Sequence, residues 1–210
     1  MNQKNGKNSL GLDSCFEDLD NPIELFKNWF TKAEEKEIND PNAVAVATSD
    51  KHNQPNVRMV LLKGLSDRGF VFYTNFNSKK GGELKINQKA SMCFHWKSLR
   101  RQVRVVGKVE EVTSKEADDY YNSRPYKNRI SAWASSQSQI LDKRETFLKK
   151  IKEYEKKYPD ENNVPRPSHW SGWRLLPDEI EFWVDGEGRI HERLNYKNSN
   201  GKWVKEILYP

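Results

Sequence analysis

The stretch AVAVATSDKHNQPNVRMVLLKGLSDRGFVFYTN, residues 43–75, decides the fold class of this chain. It contains three runs of apolar, β-branched and aromatic residues, AVAVATS, NVRMVLLKGL and GFVFYTN. Turn-forming residues separate these runs, NQP at 53–55 and DRG at 67–69. Short β-prone runs divided by turn residues are typical of successive antiparallel strands. The stretch therefore predicts an antiparallel sheet rather than a doubly wound parallel one.

Helices and further strands flank this stretch. Asn21 and Pro22 form a helix start, with Asn at the N-cap and Pro at the first helical position. Apolar residues at helical spacing continue this helix to about Ile38. Further along, the patterns predict a short helix over 79–87, strands over 90–96 and 102–112, and two or three helices within 114–158.

The C-terminal part predicts a closing β-meander. After a Pro-rich linker at 164–167 come the runs WSGWRLLP, EIEFWVDG, RIHERLNYK and KWVKEILYP. Many short strands with a few helices indicate an α+β protein built on a β-barrel. Residues 1–20 are polar and aperiodic, so we expect a flexible N-terminal segment there and one domain over 21–210.

Composition narrows the classes of partner. The chain has 36 Lys and Arg against 30 Asp and Glu, a net charge of +6. This balance favours anionic partners, and interspersed acidic residues argue against a nucleic-acid binder. The N-terminus has no apolar core of a signal peptide, and no apolar run approaches the roughly 18 residues of a membrane span. We therefore expect a cytoplasmic protein without membrane contact.

The two cysteines, Cys15 and Cys93, have no metal-ligand spacing and form no disulfide framework. The sequence thus predicts free thiols and no metal site. It also contains no G-x-S-x-G, H-E-x-x-H, P-loop or G-x-G-x-x-G motif. If the chain is an enzyme, we expect a bound cofactor to do the chemistry while the protein orients it.

The segment RIHER, residues 189–193, is the most informative group of polar residues. On a strand, alternate residues share a face, so Arg189, His191 and Arg193 would form one row of donors. Two arginines beside a histidine suit a phosphate or a planar ligand. The alternative is a solvent-facing strand with alternating charges.

Two further candidates lie in the first sheet. Arg58 and Lys63 bracket the apolar segment MVLL, on opposite faces by strand parity. The segment FYTN, 72–75, ends a strand, and SKK, 78–80, follows at a predicted helix start. Hydroxyls, lysines and free backbone N–H groups at a helix N-terminus form a phosphate cradle. In both places the alternative is ordinary solvated cations.

Together, the motifs resemble the pyridoxamine 5′-phosphate oxidase family. The resemblance rests on RMVLLK, FYTN with SKK, RQVRVVG, SRP, WASSQS and IEFW followed by RIHER, and it extends from about Pro22 to Pro210. The W-x5-R-I-H-x-R ending is its most specific element. It implies an FMN-binding split β-barrel, mainly antiparallel and Greek-key-like with flanking helices. It also implies a homodimer whose active sites are built from both subunits.

The resemblance also assigns site residues. FMN contacts would come from two stretches and several single residues, which are Arg58, Met59, Val60, Leu61, Leu62, Lys63, Tyr73, Thr74, Lys79, Lys80, Gln102, Gln137, Ser138, Trp183 and Arg193. Substrate contacts would come from Lys63, Tyr120, Arg124, Asn128, Arg189 and His191. Arg189 and His191 would lie nearest the reacting carbon.

The implied reaction oxidises pyridoxamine or pyridoxine 5′-phosphate with O2 to pyridoxal 5′-phosphate, with release of H2O2 and, from the amine, ammonia. The sequence departs from the family pattern in three ways. Residues 1–20 lack the usual Arg and Tyr, Lys79 stands where an Arg is usual, and Asn128 stands where a Ser is usual. Three alternatives remain: a related flavin or deazaflavin split-barrel reductase, a non-catalytic binder of flavin or vitamin B6 phosphate, and a basic nucleic-acid binder. The preference for amine or alcohol is left open.

Overall fold

The fold is an antiparallel sheet flanked by helices, seen in a computed structural model that describes residues 6–210. In this range the helices are α1 (Pro22–Lys36), α2 (Lys79–Ile86), α3 (Ser114–Ser123), α4 (Tyr126–Ala134) and α5 (Arg144–Lys157). The strands are β1 (Ala43–Ser49), β2 (Pro55–Leu61), β3 (Gly64–Ser66), β4 (Gly69–Asn75), β5 (Lys89–Trp96), β6 (Arg101–Glu111), β7 (Trp170–Val184), β8 (Glu192–Ser199) and β9 (Lys202–Ile207).

All the strands belong to one curled sheet. Its order is β2-β1-β5-β6-β7-β4-β3, with β8 and β9 continuing from β7, and every pairing is antiparallel. The long strand β7 pairs with β6 over most of its length, with β4 through its first half and with β8 through its second half. The predicted α+β split barrel is confirmed.

Helix α1 closes the core of the barrel. Its start is as predicted: the Asn21 side chain accepts a hydrogen bond from the Ile23 amide at 2.9 Å, and Pro22 lies in the first turn. Phe26 of this helix is fully buried, and its ring centroid lies 4.9 Å from that of Phe70 and 5.0 Å from that of Phe94. Aromatic packing thus fixes the helix against the sheet.

Strand β7 differs from its prediction. The sequence predicted two strands, WSGWRLLP and EIEFWVDG, but they form one. Pro177 interrupts the pattern, yet it lies opposite Gly107 where the register shifts at a β-bulge. A bulge tolerates a proline because it leaves one residue outside the regular hydrogen-bond ladder. The run NVRMVLLKGL shows the reverse error, since the chain divides it between β2 and β3.

The N-terminal segment packs on the barrel from residue 6 onward. Phe16 is fully buried and Leu12 nearly so. The Trp29 indole N–H donates to the Cys15 carbonyl at 2.7 Å, and the Tyr196 hydroxyl donates to the Leu19 carbonyl at 2.8 Å. This packing was not expected from the polar composition of the segment. The first part of the predicted flexible segment, residues 1–5, lies outside the described residues.

Within residues 6–210, no helix is both long and apolar enough to cross a membrane. The same part of the chain has no group of three or more His, Cys, Asp or Glu residues placed to hold a metal ion. Both cysteines are free thiols.

Phe26→Ala should destabilise the fold strongly, because it removes the ring at the centre of the aromatic core. We expect a loss of about 3–5 kcal/mol in the free energy of unfolding, measured by urea denaturation. Ile38→Ala is the control, since Ile38 is 90% exposed and its truncation should change stability by less than about 0.5 kcal/mol. Equal losses in the two variants would contradict the assigned core.

Candidate active site

A cavity of about 670 Å³ lies between β2, the end of β4, the start of α2, α3 and the loop after α4. Its lining residues are Asn56, Val57, Arg58, Met59, Val60, Leu61, Lys63, Tyr73, Thr74, Lys79, Lys80, Tyr120, Arg124, Gln137, Ser138 and Trp170. All but Asn56, Val57 and Trp170 were predicted from the sequence. The structure thus brings together residues that are up to 114 positions apart, from Asn56 to Trp170.

Lys80 is a nearly buried cation surrounded by neutral oxygens. Its Nζ donates to Thr74 Oγ1 at 2.7 Å, Gln137 Oε1 at 3.0 Å and Ser78 Oγ at 3.2 Å. Burial, followed by the charge of Arg58, lowers the pKa of Lys80 from 10.5 to about 8. The predicted cradle at the start of α2 therefore holds a cation that an anion would stabilise.

Arg58 is held in place by groups from two elements, β1 and α2. It donates to the Val46 carbonyl at 3.1 Å and to Thr48 Oγ1 at 2.6 Å, and its Nη2 lies 3.3 Å from Glu83 Oε2. The Glu83 side chain is only 5% exposed. Glu83 therefore offsets the charge of Arg58. It is not among the hydrogen-bond partners of Lys80, which are all neutral.

An aromatic stack forms another part of the cavity. The ring centroid of Tyr73 lies 4.1 Å from that of Tyr120 and 5.3 Å from that of Trp170, with nearly parallel planes. The Arg124 guanidinium lies over the Trp170 ring at 4.8 Å. Its Nη1 is buried without a hydrogen-bond partner in the described part of the chain, and burial lowers the pKa of Arg124. An acceptor is missing at this point, and a bound anion would supply it.

Lys63 lines the same cavity as Arg58, which corrects the prediction of opposite faces. Parity fails because β2 ends at Leu61, and the chain then turns so that the Lys63 amide donates to the Val71 carbonyl at 2.8 Å. Two other predicted residues do not line the cavity: Leu62 is buried in the core, and Asn128 is exposed on α4.

The remaining predicted residues form a second cluster, away from this cavity. Gln102 pairs with Trp183, and Trp183 pairs with Arg193, across three adjacent strands. The His191 ring lies 4.7 Å from the Trp183 ring, centroid to centroid. We call Gln102, Trp183, Arg189, His191 and Arg193 the strand-end cluster.

The strand prediction for RIHER is wrong for its first three residues. Arg189 ends a 3₁₀ turn with a positive φ of 65°, and β8 begins only at Glu192. Gly188 makes this turn possible, since its φ is 64°. Arg189, His191 and Arg193 therefore do not form one row on a strand face.

His191 is instead oriented by the turn itself. Its Nδ1 lies 3.1 Å from Asp185 Oδ1 and 3.2 Å from the Gly186 amide. A ring nitrogen can donate to the carboxylate or accept from the amide, but not both at once. Either bond fixes the ring plane and leaves Nε2 for other contacts.

Arg193 is oriented by a buried carboxylate. Glu181 Oε1 accepts from Arg193 Nε at 2.9 Å, and Glu181 Oε2 accepts from Arg104 Nη1 at 2.9 Å. The Glu181 side chain is only 5% exposed, and its hydrogen bond raises the pKa of Arg193. The guanidinium of Arg193 also donates to the Tyr209 carbonyl at 2.9 Å, so its position is fixed at two points.

Two family models match the chain. Residues 30–158 match the pyridoxamine 5′-phosphate oxidase model, and residues 170–210 match the pyridoxine 5′-phosphate oxidase C-terminal dimerisation region. The chain belongs to the pyridoxamine 5′-phosphate oxidase family. The strand-end cluster lies within the dimerisation region except for Gln102, and this match supports a homodimer.

Similar proteins agree with this membership. A pyridoxine/pyridoxamine 5′-phosphate oxidase of Pelagibacter ubique (strain HTCC1062) is 60% identical over 98% of this chain and all of its own length. Another, from Agrobacterium fabrum (strain C58 / ATCC 33970), is 54% identical over 95% of this chain and 98% of its own. Relatives of this enzyme family therefore match nearly the whole chain.

Solved structures confirm the fold. PhzG from Burkholderia lata 383, in complex with tetrahydrophenazine-1-carboxylic acid, superposes with a TM-score of 0.88 at 28% identity, covering 98% of this chain and all of its own. A pyridoxamine 5′-phosphate oxidase-related, FMN-binding protein of Nostoc punctiforme PCC 73102 gives 0.72 at 16% identity, covering 90% of this chain and 98% of its own. The latter shows the fold alone.

Sequence reasoning missed several residues that shape both clusters. Glu83 and Glu181 neutralise arginines from buried positions, Asp185 orients His191, and Trp170 lies under Arg124. Glu181 carried one usable signal, because it is a carboxylate between Ile180 and Phe182. The other contacts depend on tertiary packing.

Glu181→Gln should destabilise the protein and release Arg193, because the amide cannot accept two charged hydrogen bonds. We expect a loss of about 2 kcal/mol in unfolding free energy, or about 4–8 °C in Tm, measured by calorimetry. Arg104→Met is the matched control. It leaves the Arg193–Glu181 pair intact and removes a guanidinium that is 48% exposed, so less than about 1 kcal/mol should be lost. A larger loss in Arg104→Met than in Glu181→Gln would contradict this assignment.

Proposed function

We propose that the protein is an FMN-dependent oxidase that converts pyridoxamine 5′-phosphate and pyridoxine 5′-phosphate into pyridoxal 5′-phosphate. The oxidant is O2, the reduced product is H2O2, and the amine substrate also releases ammonia. Family membership and relatives at up to 60% identity support this reaction class. A cytoplasmic location remains part of the proposal.

The observation that carries the proposal is a pair of cations in one cavity, the buried Lys80 and the half-buried Arg124, whose Nη1 atom is buried. Lys80 has only neutral hydrogen-bond partners, and Arg124 Nη1 has none in the described part of the chain. The two lie in different surroundings, one in the cradle of α2 and one on the aromatic stack. A cofactor and a substrate that each carry a phosphate group would supply an anion to each.

The cavity fits FMN. Its volume of about 670 Å³ lies within the usual range of small-molecule sites, and apolar and aromatic side chains line it beside the cations. Arg58, Lys79, Lys80 and Thr74 would hold the phosphate group, with Gln137 and Ser138 beside it. When bound, FMN supplies the chemistry of accepting a hydride equivalent from the 4′ carbon and passing it to O2.

We also propose that the strand-end cluster of one protomer completes the cavity of its partner. Within one protomer the cluster does not line the cavity, although the family resemblance assigns both to one site. The match to a dimerisation region supports this arrangement. Arg189 and His191 would then orient the substrate ring, while Lys63, Tyr120 and Arg124 bind its phosphate. Alignment of donor and acceptor is the main requirement for hydride transfer.

A related oxidation of another substrate is the second candidate. It is favoured by the similarity to PhzG, which was crystallised with tetrahydrophenazine-1-carboxylic acid. Lys80 and Arg124 together favour the phosphorylated substrate for this chain, because each offers a donor to an anion.

Purified protein reconstituted with FMN should form pyridoxal 5′-phosphate and H2O2 from pyridoxamine 5′-phosphate in air. The double variant Arg189→Ala/His191→Ala should lose about 10²-fold or more in kcat/KM while still binding FMN, because substrate orientation is lost. Pyridoxal 5′-phosphate is followed by absorbance and H2O2 by a coupled peroxidase assay.

Lys127→Ala serves as a control, since Lys127 is exposed on α4 and does not line the cavity. Its activity should match that of the unchanged protein. FMN binding without turnover of either the amine or the alcohol would rule out the oxidase and leave the second candidate.

The affinity for FMN should fall as pH rises through about 8, because Lys80 then loses its proton. The phosphate monoester has a second pKa of about 6, so its charge is constant over this range. Between about pH 7.5 and about pH 9 we expect the affinity to fall about eightfold if only the protonated lysine binds. Flavin fluorescence quenching measures the affinity.

Two variants test the origin of this pH dependence. Lys80→Gln should bind FMN more weakly at pH 7.5 and show no further loss toward pH 9. Lys79→Gln should also bind more weakly but keep the pH-dependent loss, because Lys80 remains. A pH dependence unchanged in Lys80→Gln would contradict the role of this lysine.

A further inference from the structure

We propose that Trp170 is a positioning residue for the substrate phosphate, acting through Arg124. The inference deepens the proposed function and rests on it. Neither the motifs of the sequence nor the comparisons assign Trp170 a role, yet it contacts residues of both the proposed cofactor set and the proposed substrate set.

The indole of Trp170 is the common neighbour in the aromatic stack. Its ring centroid lies 5.3 Å from that of Tyr73 and 6.1 Å from that of Tyr120, with interplanar angles of 7° and 13°. The guanidinium of Arg124 lies 4.8 Å from the same ring. One indole therefore contacts two proposed substrate residues and one proposed cofactor residue.

Trp170 is itself held firmly. It is 6% exposed, and the Tyr121 ring meets it edge-on at 5.1 Å. Its amide donates to the Pro167 carbonyl at 3.0 Å, and its carbonyl accepts from Arg166 Nη1 at 2.8 Å. As the first residue of β7 it also pairs with Asn75 at the end of β4. The ring is thus a fixed surface rather than a mobile one.

A fixed indole face has a specific consequence for Arg124. An arginine side chain has several rotatable bonds, and holding one rotamer costs conformational entropy. Stacking on an aromatic face fixes the plane of the guanidinium through a cation–π contact. Arg124 Nη1 is left buried and without a protein acceptor, so its donor is prepared for an anion before the anion arrives. This pre-arrangement lowers the cost of binding a phosphate.

The test uses the FMN-loaded enzyme with Trp170→Leu and Trp170→Phe. Trp170→Leu should raise the KM for pyridoxamine 5′-phosphate about tenfold, an effect between that of an exposed and that of a desolvated cation–π contact, with a smaller change in kcat. Trp170→Phe keeps an aromatic face and should recover most of the loss. If Trp170 were needed only for packing, Trp170→Leu would lower Tm and FMN affinity and raise KM in parallel, and Trp170→Phe would not restore KM specifically.

Trp133→Leu is the matched control. Lys157 lies over the Trp133 ring at 5.5 Å, so this variant also removes an indole beneath a cation, but Trp133 does not line the cavity. It should lower Tm, because Trp133 also packs against neighbouring rings, and leave the KM within about twofold. A tenfold rise in KM in this control would show that general destabilisation explains the effect and would overturn the inference.

A double-mutant cycle with Arg124→Ala tests the route of action. If Trp170 acts through Arg124, then Trp170→Leu should add little to the KM once Arg124 is gone. Equal effects of Trp170→Leu in the two backgrounds would overturn the inference.

Failure of the proposed function gives a different result. In that case the FMN-loaded protein without substitutions turns over neither substrate. The affinities for pyridoxal 5′-phosphate and for pyridoxal are then measured by equilibrium titration in place of KM, and their ratio gives the preference for the phosphorylated compound. Loss of the preference for the phosphorylated compound in Trp170→Leu supports the role of Trp170, and an unchanged preference overturns it.

Discussion

The pairing of β6 with β7 is the constraint on which the rest of the structure depends. These strands run antiparallel from Arg101–Val184 at one end to Glu111–Trp173 at the other. Their register shifts once, at Gly107, where a β-carbon would lie 1.9 Å from the Leu176 carbonyl oxygen. Only glycine allows this approach, and the bulge in turn accommodates Pro177. A single long strand can therefore pass through both halves of the sheet.

The length of β7 places both parts of the site. Its first residue, Trp170, is paired with the end of β4 and so meets the Tyr73 ring and Arg124. Near its other end, Glu181 and Trp183 pair with β8, which contains Arg193. The His191 ring, just before β8, lies against the Trp183 ring. The cavity and the strand-end cluster are consequently fixed to opposite ends of one rigid element. The proposed site shared between two subunits would bring these two ends together.

Local patterns predicted the parts of this molecule that local physics decides. Period-two runs predicted most strands, and Asn21 and Pro22 predicted the start of α1. The FYTN–SKK junction predicted that Thr74 and Lys80 meet at the start of α2. The predictions failed where tertiary packing overrides the local pattern. Pro177 does not end a strand, because it lies at a β-bulge, and the chain forms a turn before His191 where a strand was predicted. Trp170 was missed because a tryptophan in a β-run gives no sign of which side chain it will meet.

The placement of the acidic residues explains how the cavity keeps a positive charge at Lys80. Glu83 binds Arg58, and Lys80 is instead surrounded by the oxygens of Thr74, Ser78 and Gln137. A carboxylate hydrogen-bonded to Lys80 would offset part of its desolvation cost and would also compete with any bound phosphate. Neutral acceptors satisfy the geometry of the ammonium group without cancelling its charge. Burial lowers the pKa of Lys80 to about 8, and a bound anion would favour its charged form.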